Sequence, residues 1–191
     1  DVVAWHPGNA AWQMVDQPEH CLSLPFRNGL EELEVRGLHF ELQGFANQFD
    51  CFATLVGGHP GLNFCLVHAG LLTGDDLSTF DGWHRALEPL VGLKNLWIKC
   101  SGANNVNWGT PRAANVIARQ YNALIDLFGA DRCFFGSNFP VEKLKSTYDD
   151  LIAVCTEALA HRPEAVCRAS NGGGVQRIER RRCAANRTEA E

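Results

Sequence analysis

Four short apolar runs recur along the chain, and each ends in polar residues or Gly before a helical pattern begins. The runs occupy residues 38–44, 63–70, 95–102 and 132–140. Strands that alternate with helices of roughly ten or more residues are typical of parallel βα units. The pattern therefore predicts an α/β fold with a parallel sheet.

Apolar stripes at helical spacing follow these runs. Residues three, four and seven positions apart lie on one face of a helix, so each stripe predicts a helix that buries one side. Asp is a favoured N-cap and Gly often ends a helix, so Asp75 or Asp76 can begin the second helix and Gly129 can end the third. The stripes are Phe49, Phe52 and Val56; Leu77, Phe80, His84, Leu87 and Val91; Ile117, Tyr121, Leu124 and Phe128; and Tyr148, Leu151, Cys155 and Leu159.

The two ends of the chain depart from this pattern. Residues 2–7 are predicted to be the end of a fifth strand that is truncated at its front, and the polar stretch 8–25 a long functional loop. Beyond Ser170 the sequence has little to bury, which is typical of a flexible tail. We expect one domain of βα units over residues 1–170 and a tail over 171–191.

Composition and charge narrow the class of partner. Hydrophobic residues make up 46% of the chain and charged residues 20%, close to globular averages, so a packed core is expected. A net charge of −5 argues against a nucleic-acid surface and a polybasic membrane patch, and no apolar run approaches the roughly 18 residues of a membrane span. We expect a cytoplasmic protein that acts on a small molecule, without nucleic-acid or membrane partners, and a homo-oligomer remains open.

The eight cysteines are scattered along the chain, and no two of them form a C-x-x-C pair. Most of them lie inside apolar runs, where a thiol behaves as a small core side chain. We therefore expect reduced thiols in a cytosolic protein rather than disulfides or a zinc cluster.

Polar residues stand at the end of each predicted strand. In a parallel (β/α)8 barrel the active site forms at the carboxyl ends of the strands, so the last inward-facing residue of each strand is the candidate. Strand alternation puts Leu66 and His68 on one face, and Phe134 and Asn138 on one face of a later strand. The resulting candidate ring is His6, Gln43, His68, Ser101 (or Lys99) and Asn138.

Three of the runs together resemble a known family. Residues 63–70, 96–102 and 128–141 occur in the order and spacing of the amidohydrolase-2 family, and the Gly-Ser-Asn-Phe-Pro stretch at 136–140 is the most specific part. This family comprises predicted metal-dependent hydrolases with a TIM-barrel fold, including sugar-lactone and aromatic-pathway lactonases. The resemblance implies a partial (β/α)8 barrel, approximately strands four to eight, because a complete barrel needs about 250 residues.

Two departures from the family bear on the chemistry. The family's His-x-His pair on the first strand occurs nowhere in this sequence, and Asn138 stands where many members have Asp. A neutral amide cannot act as a base, so His68, whose pKa is normally near neutrality, is the candidate base. His68 is also the candidate metal ligand. Since a metal site needs three or four converging ligands, we expect a divalent Zn or Mn ion in an intact parent rather than in this chain alone.

The resemblance implies hydrolysis of a lactone or a related cyclic ester or amide of a small carboxylic or sugar acid. His68 and Asn138 are the expected catalytic residues, and His6, Gln43 and Ser101 are expected to bind the substrate. A decarboxylase of aromatic carboxylates and a truncated, non-catalytic fragment are the alternatives.

Several candidate residues also have a structural interpretation. His68 would suit a core histidine bonded to backbone, and Asn138 would suit a turn. Lys99 could hold an internal carboxylate instead of substrate. Glu142 and Lys143 fit a solvated loop better than the rim of a site.

Overall fold

The computed structural model describes residues 3–102, 104 and 113–162, so the predicted tail at 171–191 lies outside the described residues. Four strands form one sheet, in which every neighbouring pair is parallel and the spatial order is the sequence order. This arrangement confirms the prediction of an α/β fold with a parallel sheet. The strands are β1 (His39–Leu42), β2 (Asn63–Leu66), β3 (Leu96–Cys100) and β4 (Cys133–Phe135).

Helices follow all four strands, and the predicted apolar stripes lie on these helices, except that Leu87 and Leu159 are cap residues at helix ends. Asp76 caps α3 by accepting a hydrogen bond from the Thr79 backbone N–H, and Gly129, with φ of 82°, ends α5. None of the helices in these described segments is long and apolar enough to cross a bilayer. The helices are α1 (Leu24–Val35), α2 (Phe49–Gly58), α3 (Leu77–Ala86), α4 (Glu88–Val91), α5 (Ala114–Phe128) and α6 (Tyr148–Ala158).

The second predicted helix is divided in two. Its stripe runs from Leu77 to Val91, but α3 ends at Ala86 and α4 begins at Glu88. Pro89 stands at the start of α4. It has no backbone N–H to continue the hydrogen bonds of α3, and it is well tolerated in a first helical turn, so the chain restarts there.

The predicted fifth strand at residues 2–7 is wrong for its described part, because residues 3–6 form no strand. A buried glutamine holds this segment instead. Gln48 Oε1 accepts from the Trp5 N–H at 2.8 Å, and Gln48 Nε2 donates to the Val3 carbonyl at 2.7 Å. One side chain thus supplies the donor and the acceptor that a neighbouring strand would have supplied. The stretch predicted as a loop contains two 3-10 turns, Ala10–Trp12 and Pro18–Leu22, and α1 begins before its end.

The two faces of the sheet are covered differently. Leu42, Leu66 and Ile98 belong to the large core beneath the helices. The opposite, inward face carries a second cluster of four buried side chains, Cys65, Val67, Trp97 and Phe134. Lys99 Nζ lies 2.8 Å from Glu41 Oε1, which confirms that Lys99 holds an internal carboxylate.

The six cysteines of the described residues carry free thiols, and all of them except Cys51 are buried. Burial raises the pKa of Cys21 and of Cys155 to about 12. The expectation that the cysteines act as core side chains is confirmed for these five buried positions. Cys167 and Cys183 lie outside the described residues.

Candidate functional site

A cavity of about 300 Å³ opens at the carboxyl ends of the strands. Three of the five candidate residues line it: Gln43 just after β1, His68 just after β2 and Asn138 just after β4. The geometry of a parallel sheet accounts for this convergence, because its carboxyl ends share one edge. The remaining lining residues are Ala4, Ala11, Trp12, Met14, Phe45, Leu71, Val141, Glu142, Leu144 and Lys145.

His68 reaches this cavity through a left-handed turn. The φ angles of residues 68–71 are 54°, 51°, 69° and 44°, and only the third residue is glycine. A left-handed conformation costs a non-glycine residue about 1–2 kcal/mol, so the surrounding structure must hold the turn. Trp83 Nε1 donates to the Gly70 carbonyl at 3.0 Å, and Gln120 Nε2 donates to the Ala69 carbonyl at 3.1 Å. Backbone strain of this kind concentrates at functional sites.

The sequence-based assignment of Leu66 and His68 to the same, inward face of β2 is wrong, and the left-handed turn explains why. The residues that share the inward cluster are Cys65 and Val67, whereas Leu66 packs beneath the helices. Simple alternation from Leu66 would carry His68 away from the inward face. The positive φ at His68 breaks the alternation directly after the strand and redirects the imidazole to the mouth.

Ser101 lies directly against His68. Its Oγ is 3.2 Å from the His68 backbone N and 3.2 Å from His68 Nδ1, and the residue is only 1% exposed. The structure therefore places Ser101 behind the imidazole and not on the cavity wall. Burial lowers the pKa of His68, the charge of Lys99 lowers it further, and the carboxylates of Glu41 and Glu142 oppose this shift. The imidazole is accordingly neutral at neutral pH.

Glu142 is a site residue that the sequence assigned to a solvated loop in preference to the rim of a site. The expectation of a solvated loop is wrong for it, because Glu142 is 1% exposed, but holds for its exposed neighbour Lys143. Its carboxylate accepts from Asn104 Nδ2 at 2.9 Å and from Asn138 Nδ2 at 3.4 Å. The spacing of four residues from Asn138 was the available signal, since the Glu142 N–H donates to the Asn138 carbonyl in a tight turn.

The contact between Asn138 and Glu142 determines which end of the Asn138 side-chain amide faces the carboxylate. A carboxylate can only accept hydrogen bonds, so the NH2 group of Asn138 must face Glu142. The amide oxygen then points to the other side. The backbone of Asn138 is also left-handed, with φ of 55°. Asn138 thus resembles His68, because both residues follow a strand, have positive φ and line the cavity.

His6 lies beside a neighbouring cavity of about 240 Å³, which shares Phe45 and Leu71 with the first. Its ring makes edge contacts with Trp12 and Phe45, each with 5.1 Å between centroids, and those two rings stack at 5.5 Å. His6 Nδ1 accepts from the Gly8 N–H at 3.1 Å, and burial lowers the pKa of the ring. His6 is therefore part of an aromatic wall at this position.

Within residues 3–102, 104 and 113–162, no three His, Cys, Asp or Glu side chains are placed to hold a metal ion. His68 Nδ1 is directed to Ser101, and the Glu142 carboxylate to two amides. These residues by themselves do not fit a metal site. We assign no step of the chemistry to a metal.

Sequence comparison gives the family. The profile of the Amidohydrolase family matches residues 3–170. The chain is 36% identical over 135 residues to the uncharacterized protein y4mH of Sinorhizobium fredii, covering 71% of this chain and 44% of that protein. It is 27% identical over 158 residues to L-fucono-1,5-lactonase of Burkholderia multivorans, covering 78% of this chain and 53% of the lactonase. The chain thus spans about half the length of these curated relatives.

Solved structures share the fold. An amidohydrolase from Burkholderia multivorans superposes with a TM-score of 0.78 at 24% identity, over 85% of this chain and 61% of that one, and one of its crystal structures contains bound zinc. The structure of a putative 2-pyrone-4,6-dicarboxylic acid hydrolase from Pseudomonas putida gives a TM-score of 0.67 at 18% identity, over 87% of this chain and 59% of that one. The four strands and their helices match part of the TIM barrel of these enzymes. The chain belongs to the Amidohydrolase family.

Proposed function

We propose that the protein hydrolyses a lactone or a related cyclic ester or amide, with His68 as general base. The observation that carries this proposal is the position of the His68 imidazole at the cavity mouth, with the Ser101 hydroxyl 3.2 Å behind its Nδ1; burial lowers the pKa of this imidazole, which favours its neutral form. A neutral histidine can accept a proton from water at neutral pH. The similarity to L-fucono-1,5-lactonase supports the choice of a lactone.

The hydrogen bonds of Ser101 are compatible with the tautomer that a base requires. Its Oγ accepts from the His68 backbone N–H and keeps a second lone pair that can accept from Nδ1–H. Nε2 is then unprotonated. It takes a proton from the water that attacks the carbonyl carbon, and the imidazolium returns a proton to the ring oxygen as the ester bond breaks. The carboxylates of Glu41 and Glu142 favour the transient positive charge.

The two amides of the cavity suit the other atoms of the reaction. Gln43 lines the same cavity and can donate to the carbonyl oxygen on which negative charge develops. The oxygen of Asn138, turned away from Glu142, can accept from the attacking water or from a substrate hydroxyl. Asn138 therefore positions a reactant, and the proton goes to His68.

The decarboxylase alternative requires a cation that binds the substrate carboxylate. Lys145 is the cationic side chain among the described residues of the cavity wall, and its Nζ donates to the Asn104 carbonyl. The carboxylate of Glu142 lines the same wall and would repel an anionic substrate. The observations favour the hydrolase. Release of CO2 from an aromatic carboxylate would favour the decarboxylase.

The test measures lactone hydrolysis by the acid that it releases. It compares the rate of the His68→Ala variant with that of the His39→Ala variant. His39 is an exposed histidine at the opposite end of β1 and is the matched control. Loss of a general base lowers kcat by about 10²–10⁴-fold. Unchanged turnover in His68→Ala would remove His68 from the mechanism.

A non-catalytic fragment is the remaining alternative. Within the described sheet, β1 and β4 each pair with a neighbour on one side. Open edges favour aggregation. A monodisperse chain that melts in a single cooperative transition would contradict this alternative.

A further inference from the structure

The charges of the cavity balance. Among the described residues of its wall, Glu142 carries the negative charge and Lys145 the positive charge, and the His68 imidazole is neutral at neutral pH. Both charged groups already have protein partners, because Glu142 accepts from two amides and Lys145 donates to the Asn104 carbonyl. Transfer of a charged group from water into such a cavity is unfavourable without an opposite charge. The cavity therefore suits an uncharged ligand.

The outer part of the cavity is apolar and open to solvent. Met14, Val141 and Leu144, which we call the apolar rim, line it and are 59%, 50% and 74% exposed. The rim joins two segments that are far apart in sequence. Trp12 and Phe45 stack deeper in the same cavity. Grouped and exposed apolar side chains at a cavity mark a binding site for an apolar group.

The uncharged polar side chains among the described residues of the wall, apart from the Trp12 indole, stand at the strand ends. Gln43, His68 and Asn138 follow β1, β2 and β4, so hydrogen bonds are available where the carbonyl would react. The side chains of the apolar rim, Met14, Val141 and Leu144, offer no hydrogen bonds to a ligand. A ligand with hydroxyl groups all around its ring would leave several of them unpaired there, which is unfavourable when they lose water.

We infer that the preferred substrate is an uncharged lactone with an apolar substituent, seated with its carbonyl at Gln43, His68 and Asn138 and its substituent against the apolar rim. This inference rests on the proposed lactone hydrolysis and specifies its substrate. An alkyl or aryl group gains free energy at the rim in proportion to the apolar area that it removes from water.

Two lactams, whose amide bond resists uncatalysed hydrolysis, test the inference by binding, and both are checked to be intact after the titration. One is the six-membered lactam that carries a pentyl chain next to its nitrogen, and the other is gluconolactam, which has the same ring and several hydroxyl groups. Isothermal titration calorimetry of the full chain measures both Kd values. We expect the pentyl lactam to bind at least about tenfold more tightly, a difference of about 1.4 kcal/mol.

A matched pair of substitutions locates the contact. Leu144→Asp places a charge on the rim, whereas Leu77→Asp changes a leucine of similar exposure, 68% against 74%, that lies at the start of α3 and outside the cavity wall. We expect Leu144→Asp to weaken the pentyl lactam by about tenfold and to leave the Kd of gluconolactam unchanged. Leu77→Asp should leave both Kd values unchanged.

Each result bears on the inference. Tighter binding of gluconolactam, binding of neither lactam, or equal effects of the two Asp substitutions would overturn it. An unchanged Kd in Leu144→Asp together with a smaller oligomer in sedimentation would identify the rim as an interface and would also overturn it. Binding as expected, without hydrolysis of the two lactones that correspond to these lactams, would refute the proposed function and leave the ligand class standing.

Discussion

Gln48 is the residue whose replacement should disturb the described structure most specifically. It is fully buried and makes four hydrogen bonds. Its Oε1 accepts from the backbone N–H groups of Trp5 at 2.8 Å and Phe45 at 3.3 Å. Its Nε2 donates to the carbonyls of Val3 at 2.7 Å and Pro18 at 3.2 Å. These bonds attach the segment that carries the cavity residues Ala4, Ala11, Trp12 and Met14.

Gln48→Met keeps the length of the side chain and removes all four bonds. A typical hydrogen bond contributes about 0.5–1.5 kcal/mol net, and a buried group left without a partner costs about 1–3 kcal/mol. Trp5 is half-buried, so water can satisfy part of the loss. We expect the free energy of unfolding to fall by about 3 kcal/mol, which lowers Tm by about 6–12 °C in a chain of this length.

Urea unfolding followed by circular dichroism measures this change. Gln17→Met is the matched control, because Gln17 is exposed and its side chain caps no helix. The control should stay within about 0.5 kcal/mol of the unmodified chain. A loss below about 1 kcal/mol in Gln48→Met, or a loss equal to that of Gln17→Met, would refute the view that one side chain anchors the N-terminal segment.

Two further predictions concern the site and the core. Ser101→Ala should lower kcat by about tenfold and leave KM unchanged, because Ser101 orients His68. Ser101→Thr keeps the hydroxyl and should therefore retain part of the rate that Ser101→Ala loses. A higher KM at unchanged kcat would instead support the substrate-binding role predicted from the sequence. The free energy of unfolding should fall as the pH rises from about 9 toward about 12, because burial raises the pKa of Cys21 and Cys155 to about 12 while unfolded thiols ionise near 8.5. The stabilisation that these protonated thiols provide is complete below the thiol pKa of the unfolded chain and is lost as the pH approaches their pKa in the folded chain. In a Cys21→Ala/Cys155→Ala chain the free energy of unfolding should fall less over the same pH range. An equal fall would show that these two thiols do not cause it.

The strands and helices were predictable because their signals are local. Phe49, Phe52 and Val56 lie on one face of any helix that contains them, whatever packs against it. The one division of a predicted helix, before Glu88, also had a local signal in Pro89. The error at residues 3–6 has a different origin: a buried glutamine more than forty positions away replaces a neighbouring strand as hydrogen-bond partner.

The site was predictable only in part. Gln43, His68 and Asn138 share one cavity because parallel strands end at a common edge, and that follows from the order of the elements. The direction of the His68 side chain did not follow, because it depends on a left-handed turn that Trp83 and Gln120 hold from other elements. Glu142 was assigned to a solvated loop, because its hydrogen-bond partner Asn104 is 38 positions away and leaves no local signal in the sequence.

The sequence by itself determined the alternation of strands and helices, the parallel sheet and the polar residues at its carboxyl edge, since each depends on spacing along the chain. The tertiary structure decided which of those residues meet, how Ser101 and Glu142 turn the imidazole and the amide, and where the apolar rim lies. Hydrophobic periodicity is a property of neighbouring residues. The orientation of a side chain at a strand end depends instead on contacts between segments that only the folded chain brings together.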